Sequence, residues 1–331
     1  MTKPRVAFLG TGWIGRHRME AILATGLVEA VAVADPSPGM VAQAQVLAPG
    51  AAVVAGLEEM LALRPDGVVI ATPSALHAAQ SIEALQAGAA VFCQKPLGRS
   101  ADEARAVVAA AGAADRLLSV DFSYRFTTGM TRIAELVRSG ELGRVHAVDL
   151  VFHNAYGPDK PWFYDRAQSG GGCVMDLGVH LVDLALWCLG FPAVEDVTSH
   201  LFAGGQPLSG DTVEDFALAT ITLAGGAAVR LACSWRAQAG RDADISATFY
   251  GTGGGAGMRN VAGSFYDFAA ERYRGTSAEP LTSGSEAWGG RAAADWARRL
   301  AAGERFDPRS EELVAVSEVI DRVYGRSIEV R

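Results

Sequence analysis

A long apolar segment in the middle of the chain carries three ionisable side chains. Residues 170–190 are apolar almost throughout, and the exceptions are Asp176, His180 and Asp183. At about 100° of rotation per helical residue, their spacing of four and three residues places these side chains on a single helix face. Burying such groups costs several kcal/mol unless they pair or line a cavity. We therefore predict that they form the polar face of an active site.

The same face raises the alternative of a metal site, because an aspartate and a histidine four residues apart can bind a divalent ion. His153, in a strand-like segment, is the residue that we consider as a third ligand. The sequence near Asp176 and His180 offers no other ligand, and it contains no HExxH-type motif. We expect no metal, and a metal-dependent hydrolase is kept only as an alternative.

A lysine follows a short apolar run in the segment "VFCQKPLG", residues 91–98. The segment is too apolar to suit a surface lysine, and its first residues are typical of a buried strand. A lysine placed there can donate a hydrogen bond to a hydroxyl oxygen and assist proton transfer. The preceding residue, Gln94, brings no negative charge. We predict that Lys95 is catalytic and that both Gln94 and Lys95 contact a bound cofactor.

A glycine-rich turn follows the first predicted strand and opens the first predicted helix. It has the sequence "GTGWIG", and Asp35 ends the second predicted strand 20 residues after Gly15. In a dinucleotide-binding turn the glycines allow a tight bend and close approach of the diphosphate, and the acid accepts hydrogen bonds from the ribose. A carboxylate repels a 2′-phosphate, so NAD is favoured over NADP. The predicted contacts within the turn are Gly10, Thr11, Gly12, Trp13, Ile14 and Gly15.

A second turn, "ATPSALH", follows the fourth predicted strand at residues 71–77. It lies at the carboxyl end of that strand, where a dinucleotide binds in a parallel sheet. We predict cofactor contacts from Thr72, Pro73, Ser74 and His77. The alternative is that the turn only caps the next helix, with Ser74 as the N-cap residue.

The pattern of apolar runs changes near residue 121. Residues 1–121 alternate short apolar runs with amphipathic stretches, which predicts βαβ units around a doubly wound parallel sheet. Residues 215–237 are typical of an antiparallel hairpin, and the glycine-rich stretches 251–260 and 274–285 are predicted as loops. We expect an α/β protein with an N-terminal Rossmann domain. A C-terminal α+β domain, residues 122–331, would bind substrate with an open, mostly antiparallel sheet.

The charge balance and the cysteines limit the classes of partner. The chain has 29 basic and 37 acidic residues and a net charge of -8, which argues against a general affinity for nucleic acid or anionic membranes. No apolar run is long enough to span a bilayer, and the start of the chain has no signal-peptide pattern. Cysteines at 93, 173, 188 and 233 form no CxxC pair, as expected of free thiols in a reducing compartment. We expect a cytoplasmic protein.

The predicted hairpin also bears on assembly. Both of its faces carry few charges, whereas a sheet that faces water usually has one clearly polar face. Helices would cover one face, and a second subunit would cover the other. We therefore expect self-association into a dimer or tetramer.

Together these motifs resemble the Gfo/Idh/MocA oxidoreductases, the family of glucose–fructose oxidoreductase and inositol dehydrogenase. The resemblance covers nearly the whole chain, in the family's order and spacing. It implies a Rossmann domain, a C-terminal domain often used for oligomerisation, a nicotinamide cofactor and a sugar or polyol substrate. The family's Glu-Lys-Pro lysine corresponds to Lys95, and its Asp-x-x-x-His motif corresponds to Asp176 and His180. Asp183 stands in the place of a further acid that can contact the polyol.

The chain departs from the family pattern in two places. Gln94 replaces the glutamate of the Glu-Lys-Pro motif. The segment "VDFSYRF", residues 120–126, stands where many members carry a sequence like Gly-Phe-Asn-Arg-Arg-Phe, and it matches only at Phe122, Arg125 and Phe126. These departures concern the tuning of the site.

The resemblance and the residues together predict an NAD(P)-dependent oxidoreductase that transfers a hydride between a sugar, polyol or related carbinol and the nicotinamide ring. His180 would be the general base, Lys95 would donate a hydrogen bond to the same oxygen, and Asp176 would hold substrate hydroxyls. Further substrate contacts are predicted at Asp183, His153, Asn154, Tyr156, Trp162 and Arg125. A redox-neutral sugar enzyme that uses NAD transiently and a non-catalytic NAD-binding regulator are the alternatives.

Overall fold

The computed structural model describes residues 2–326, which divide into two compact units. The first unit comprises residues 2–123 and 289–314, and the second comprises residues 124–288 and 315–326. The first unit thus contains a segment from near the C-terminus, although chain order assigns that segment to the C-terminal domain.

A parallel sheet lies at the centre of the first unit. Its strands are β1 (Arg5–Leu9), β2 (Glu29–Ala34), β3 (Ala52–Val53), β4 (Gly67–Ile70), β5 (Ala90–Cys93) and β6 (Leu118–Val120). Within the described residues it is six-stranded, in the order β3-β2-β1-β4-β5-β6. The helices between the strands are α1 (Trp13–Ala24), α2 (Pro38–Leu47), α3 (Leu57–Ala62), α4 (Ser74–Gln86) and α5 (Ala101–Ala114). This is the predicted doubly wound sheet.

The strand order explains where a ligand can bind to this unit. The order reverses where β1 lies beside β4, and both of these strands end at the same edge of the sheet. Strands β4 and β5 are buried at every residue, as is typical of parallel strands with helices on both faces. In such sheets the turns after the strands form the ligand site at the carboxyl edge.

A larger, mixed sheet forms most of the second unit. Its strands are β7 (Val145–Asn154), β8 (Val194–Ala203), β9 (Gln206–Pro207), β10 (Phe216–Leu223), β11 (Ala228–Ser234), β12 (Ala243–Gly251), β13 (Gly254–Asn260), β14 (Phe268–Arg274) and β15 (Ser277–Pro280). Over the described residues the order is β15-β14-β13-β12-β7-β11-β10-β8-β9. The pair β7 and β11 is parallel, and the other pairs are antiparallel. The sheet is therefore open and mostly antiparallel, as predicted.

The remaining chain also contains helices. They are α6 (Thr128–Arg138), α7 (Arg166–Ser169), α8 (Val179–Leu189), α9 (Arg291–Ala301) and α10 (Glu311–Val323). A π-helical turn, Val174–Gly178, precedes α8. By the same division of the chain, α9 belongs to the first unit.

The prediction of loops in the two glycine-rich stretches is wrong. Strands β13 and β15 and the last residue of β14 lie there. Glycine occurs in β13 where atoms of both neighbouring strands lie close. A Cβ at Gly255 would lie 3.1 Å from the Phe249 carbonyl oxygen and 3.3 Å from Tyr273 Cδ2, and one at Gly257 would lie 2.9 Å from Thr248 Oγ1 and 3.1 Å from the Tyr273 hydroxyl. Glycine in a strand often marks this kind of close approach. The glycines of this stretch thus reflect close contacts with residues on the neighbouring strands.

Helix α9 packs into the first unit through a tryptophan. The Trp296 side chain is fully buried, and its ring centroid lies 5.9 Å from that of Phe92 in β5. A Cβ at Gly67, the first residue of β4, would lie 2.7 Å from the Trp296 ring. A glycine at the start of β4 therefore makes room for a helix that is more than 200 residues away in sequence.

Among the described residues, one helical segment is long and apolar enough to cross a membrane, Arg166–Leu189, with a mean hydropathy of 1.6. That segment includes α7, the π-turn and α8. Most of it, 83%, is buried inside the protein. Such burial is typical of a core helix.

Candidate functional site

The glycine turn between β1 and α1 has the steric features of a dinucleotide-binding turn. Gly10 has φ +84°, and a Cβ there would lie 2.5 Å from the Ala71 carbonyl oxygen. A Cβ at Gly15 would lie 2.1 Å from the carbonyl oxygen of Gly10. A Cβ at Gly12, in contrast, would have nothing within 4 Å. The outer glycines are thus required by the backbone, and the middle one keeps an open surface at the start of α1, where a diphosphate binds.

Asp35 is held against this turn. One of its carboxylate oxygens accepts a hydrogen bond from the Thr11 backbone N–H at 2.7 Å, and the other accepts one from the Ser37 N–H at 2.9 Å. The acid therefore lies at the end of β2, beside the turn, as ribose recognition requires. The Thr11 hydroxyl is buried and has no hydrogen-bond partner among the described residues. These features fit NAD.

The turn after β4 is tied to the segment that contains Lys95. The two ring nitrogens of His77 lie 2.7 Å from the carbonyl oxygens of Pro96 and Thr72. Burial lowers the pKa of His77, and the backbone hydrogen bonds oppose this change. Ser74 is the first residue of α4, and Pro73 occupies the N-cap position, so Ser74 is not the cap. His77 is thus placed to connect the two turns.

Lys95 itself is half-buried and lies two residues after the end of β5. Its neighbours in the chain are buried, and Gln94 is only 6% exposed. The Gln94 side chain turns inward, where its Nε2 donates a hydrogen bond to Asp121 at 2.6 Å. Asp121 is absent from the sequence-based prediction. The signal was available, because it ends β6 at the same sheet edge at which Asp35 ends β2.

In the second unit, Asp176 lies within the π-helical turn that precedes α8. The wider turn changes the rotation per residue, so the predicted spacing on a regular helix does not hold across it. One Asp176 carboxylate oxygen accepts a hydrogen bond from the Trp235 indole N–H at 2.9 Å. Trp235 is fully buried, just after β11. This tryptophan, which sequence reasoning missed, fixes the orientation of the carboxylate.

A buried glutamate holds the start of the π-turn. The Glu214 carboxylate accepts hydrogen bonds from the backbone N–H groups of Gly172 and Val174 at 3.0 and 2.9 Å, and from the Tyr324 hydroxyl at 2.7 Å. Burial raises the pKa of Glu214, and these hydrogen bonds oppose the rise. A Cβ at Gly172 would lie 1.9 Å from the Glu214 carbonyl oxygen. The glycines before Asp176 therefore allow the chain to pass close to Glu214.

The other two residues of the predicted polar face lie in different surroundings. His180 is 8% exposed, and its ring meets the edge of Tyr124 at a centroid distance of 5.2 Å. Asp183 is 1% exposed and forms an ion pair with Arg125, whose Nε lies 2.9 and 2.8 Å from the two carboxylate oxygens. The Arg125 guanidinium also lies over the ring of Trp187, at 5.8 Å. The predicted substrate contacts Arg125 and Asp183 are thus brought together as a pair.

The remaining predicted substrate contacts lie at the end of β7 and beyond it. The His153 ring stacks on Phe216 at 5.3 Å, and burial lowers the pKa of His153. The Nδ1 of His153 and the side-chain oxygen of Asn154 are buried without a hydrogen-bond partner among the described residues. Tyr156 is 55% exposed, and Trp162 stacks on Phe163. Buried polar atoms next to exposed aromatic rings are suited to a polar, ring-shaped ligand.

Phe163 connects this group to Asp176, since its ring lies 6.1 Å from that of Trp235. Within residues 2–326 no group of three histidine, cysteine, aspartate or glutamate residues is placed to hold a metal ion. The cysteines at 93, 173, 188 and 233 are buried and free.

Comparisons with known proteins agree with this description. Residues 4–122 match the family model for the oxidoreductase family with an NAD-binding Rossmann fold, and residues 130–256 match the GFO/IDH/MocA C-terminal domain. A D-glucoside 3-dehydrogenase of Escherichia coli (strain K12) is 30% identical over 269 residues, which cover 76% of each chain.

Two solved structures extend the likeness over the full chain. GenD2 from gentamicin A biosynthesis, in complex with NAD, has a TM-score of 0.82 and 28% identity, and the match covers 100% of this chain and 97% of that one. Levoglucosan dehydrogenase, in complex with NADH and levoglucosan, has a TM-score of 0.83 and 21% identity, with coverage of 98% and 97%. At that identity the second likeness concerns the fold alone.

Proposed function

The chain belongs to the Gfo/Idh/MocA family of NAD(P)-dependent oxidoreductases, and from this premise we propose that it acts on a secondary ring hydroxyl of a sugar or polyol. In the direction of oxidation, the carbon gives a hydride to the nicotinamide ring of NAD and its hydroxyl gives up a proton, which leaves a carbonyl group. The name of one relative, a D-glucoside 3-dehydrogenase, supports a glucoside or a related sugar as the substrate.

The observation that carries the proposal is the start of the buried helix in the second unit. Asp176 is oriented by Trp235, and His180 follows it, largely buried, against the edge of Tyr124. A carboxylate and an imidazole on the first turns of an apolar helix do not stabilise a hydrophobic core, because burying them costs free energy. They are suited to hold a hydroxyl and remove its proton.

Each side chain then has a defined role. His180 is the general base that takes the hydroxyl proton. Lys95 donates a hydrogen bond to the same oxygen and stabilises the charge that develops on it. Asp176 accepts hydrogen bonds from substrate hydroxyls.

The other predicted contacts support these three. Asp183 lies on the same helix as His180, and its buried ion pair with Arg125 holds that helix in place. His153 and Asn154 bring polar atoms that lack protein partners, which substrate hydroxyls can satisfy. Tyr156 and Trp162 provide aromatic surface for a sugar ring.

The cofactor preference follows from Asp35. Its carboxylate faces the turn through Thr11 and would repel a 2′-phosphate, so we expect NAD to be used in preference to NADP. NAD, when bound, supplies the hydride acceptor. The turn of Gly10, Gly12 and Gly15 binds its diphosphate, and Asp35 binds its adenosine ribose.

The proposal extends to assembly and location. Strands β10 and β12 carry apolar side chains that are exposed in the single chain, Leu218 and Tyr250, each 41% exposed. A second copy of the chain would cover them, so we propose a dimer or tetramer in the cytoplasm. A monomer by light scattering at micromolar concentration would contradict the assembly.

The function is tested with a panel of glycosides, aldoses and inositols offered with NAD or NADP, and by absorbance at the NADH band. We expect turnover with at least one compound and a preference for NAD. Lys95→Ala and His180→Ala should lower kcat by about 100-fold or more, with NADH binding retained. Lys160→Ala is the control, because that lysine is 63% exposed. Wild-type turnover in either of the first two variants would remove the assigned roles.

Two results would redirect the proposal. Tightly bound NAD in the purified protein, with sugar converted but no net NADH formed, would indicate a redox-neutral enzyme. NAD binding with no turnover of any compound in the panel would favour a regulator.

A further inference from the structure

A buried polar cluster in the first unit includes Gln94, the residue that precedes Lys95. Its members are Arg18, Gln94, Asp121 and Ser123, with exposures of 1%, 6%, 2% and 0%. Gln94 Nε2 donates to Asp121 Oδ2 at 2.6 Å, and Arg18 Nε donates to the same oxygen at 2.5 Å. The Ser123 hydroxyl donates to the other carboxylate oxygen and accepts a hydrogen bond from Arg18 at 3.3 Å.

The cluster connects three elements that matter to the cofactor and to Lys95. Arg18 lies on α1, the helix that begins at the glycine turn. Gln94 follows β5, and Asp121 follows β6. The backbone is held at the same points, because the Asp121 N–H donates to the Cys93 carbonyl and the Gln94 N–H donates to the Ile70 carbonyl.

The hydrogen bonds account for glutamine at position 94. An ionised carboxylate only accepts hydrogen bonds, so the side chain that contacts Asp121 Oδ2 must be a donor. Glutamine has such a donor and an ionised glutamate does not. A glutamate at 94 would place two carboxylates in contact in a buried site where Arg18 is the cation paired with Asp121.

We infer that Asp121 carries, from the end of β6, the buried negative charge that a glutamate beside the lysine would otherwise carry. Asp121 is then a positioning residue: with Arg18 it holds the Gln94 side chain, and through it the backbone of the adjacent Lys95. The charge of the cluster is balanced, with one cation and one anion. The part that concerns Lys95 rests on the proposed function, whereas the placement of the charge does not.

The test exchanges the two side chains. Gln94→Glu alone puts two acids against one arginine, and Asp121→Asn alone leaves Arg18 without its carboxylate. Each should lower the Tm of the cofactor-free protein by about 5 °C or more. In the double variant, Gln94→Glu with Asp121→Asn, one acid and one amide are again present. We expect it to regain at least half of the summed loss, since contacting residues are not additive.

Turnover separates positioning from a merely structural role. With the substrate found in the panel, each single variant should lower kcat about tenfold and change KM by less than about threefold, and the double variant should recover kcat. NADH affinity, measured by its fluorescence, should stay within about threefold of the wild-type value in Asp121→Asn, because Asp121 is not among the predicted cofactor contacts. A matched loss in NADH affinity would mean that the glycine turn is damaged, and it would overturn the assignment to Lys95.

Exposed sites provide the controls. Gln86→Glu adds the same charge on the surface of α4, and Asp102→Asn removes a carboxylate that is 87% exposed. Neither should move Tm by more than about 2 °C. If a single variant yields no soluble protein, recovery of soluble protein in the double variant supports the inference.

Several results would overturn the inference. These are additive losses in the double variant, an unchanged Tm in Gln94→Glu, or insoluble protein in both the single and the double variants. If wild-type protein turns over nothing in the panel, the proposed function fails, and the Tm measurements still decide where the charge lies.

Discussion

The glycine turn at residues 10–15 and the polar face of Asp176, His180 and Asp183 are equally clear in the sequence, but the structure builds them differently. The turn is determined by backbone atoms close to it: Gly15 lies against the carbonyl of Gly10, and Gly10 lies against Ala71 on the adjacent strand. The polar face depends on side chains from distant parts of the chain. Two sequence patterns that are equally clear therefore depend on different constraints, local backbone contacts in one case and distant side chains in the other.

The three residues of the polar face illustrate the second kind. Asp176 meets Trp235, 59 residues away, and Asp183 meets Arg125, 58 residues away. His180 lies between them against Tyr124. Regular spacing predicts that three side chains share a helix face. Their partners decide whether a carboxylate is available to a ligand or forms an ion pair. The structure of a motif that depends on local sterics can be predicted from the sequence. The role of each charged residue on a helix face cannot, because it depends on a distant partner.

The largest effect should come from the turn. Gly15→Ala places a Cβ 2.1 Å from a backbone oxygen, so the turn must open, and we expect unfolding free energy to fall by about 4 kcal/mol or more. Gly12→Ala is the matched variant, since nothing lies within 4 Å of its Cβ. It should keep Tm within about 2 °C and weaken NADH binding by about tenfold or more, because the methyl group faces the diphosphate. Chemical denaturation and fluorescence titration measure the two quantities.

Equal behaviour of the two glycine variants would break the comparison. If Gly12→Ala unfolds the protein as Gly15→Ala does, the middle glycine is needed by the fold. If Gly12→Ala binds NADH with wild-type affinity, the open surface is not the diphosphate site.

The next effect concerns the ion pair. Asp183→Asn leaves Arg125 beside a neutral amide, at a site where the two side chains are only 2% and 15% exposed, and should cost about 3 kcal/mol of unfolding free energy. Glu135→Gln breaks an ion pair with Arg132 on the surface of α6, where the two side chains are 58% and 60% exposed. It should cost less than about 1 kcal/mol. Equal losses in urea denaturation would show that burial does not set the strength of the Asp183 pair.

The smallest effect on the fold, and one that sharpens the role of the polar face, comes from Trp235→Phe. This change keeps the ring and removes the N–H that orients Asp176, so unfolding free energy should fall by about 2 kcal/mol. We expect kcat to fall about tenfold, since a substrate hydroxyl then meets a mobile carboxylate. Trp296→Phe is the control, because its indole nitrogen is buried without a hydrogen-bond partner among the described residues. A wild-type kcat in Trp235→Phe would show that Asp176 needs no orientation.

Much of the fold is predictable from the sequence. The family, the doubly wound sheet, the mostly antiparallel second sheet and the NAD-binding Rossmann domain are confirmed. The prediction of glycine-rich loops fails because strand β13 pairs with β12 and β14 through its backbone, and glycine occurs where atoms of both neighbouring strands lie close. The assembly, the compartment and the catalytic roles stay predictions.

The candidate site is predictable only in part. Its residue types are visible, because ionisable side chains in apolar segments are costly and therefore conspicuous. Trp235, Asp121 and Arg18 were missed, since each acts on a known residue from a strand end or helix that is far away in sequence. The π-turn was missed as well, because helical periodicity assumes a constant rotation per residue.

By itself the sequence determined the order of strands and helices in residues 1–121, the glycine turn with the acid after the second strand, and the family, because these depend on contacts between neighbours in the chain or on short spacings. Only the tertiary structure decided what each buried charge does. Gln94 has a neutral side chain because Asp121 already supplies the carboxylate, and Asp183 is paired because Arg125 reaches it. Long-range packing sets these partners, and a buried charge takes its role from the partner that neutralises it.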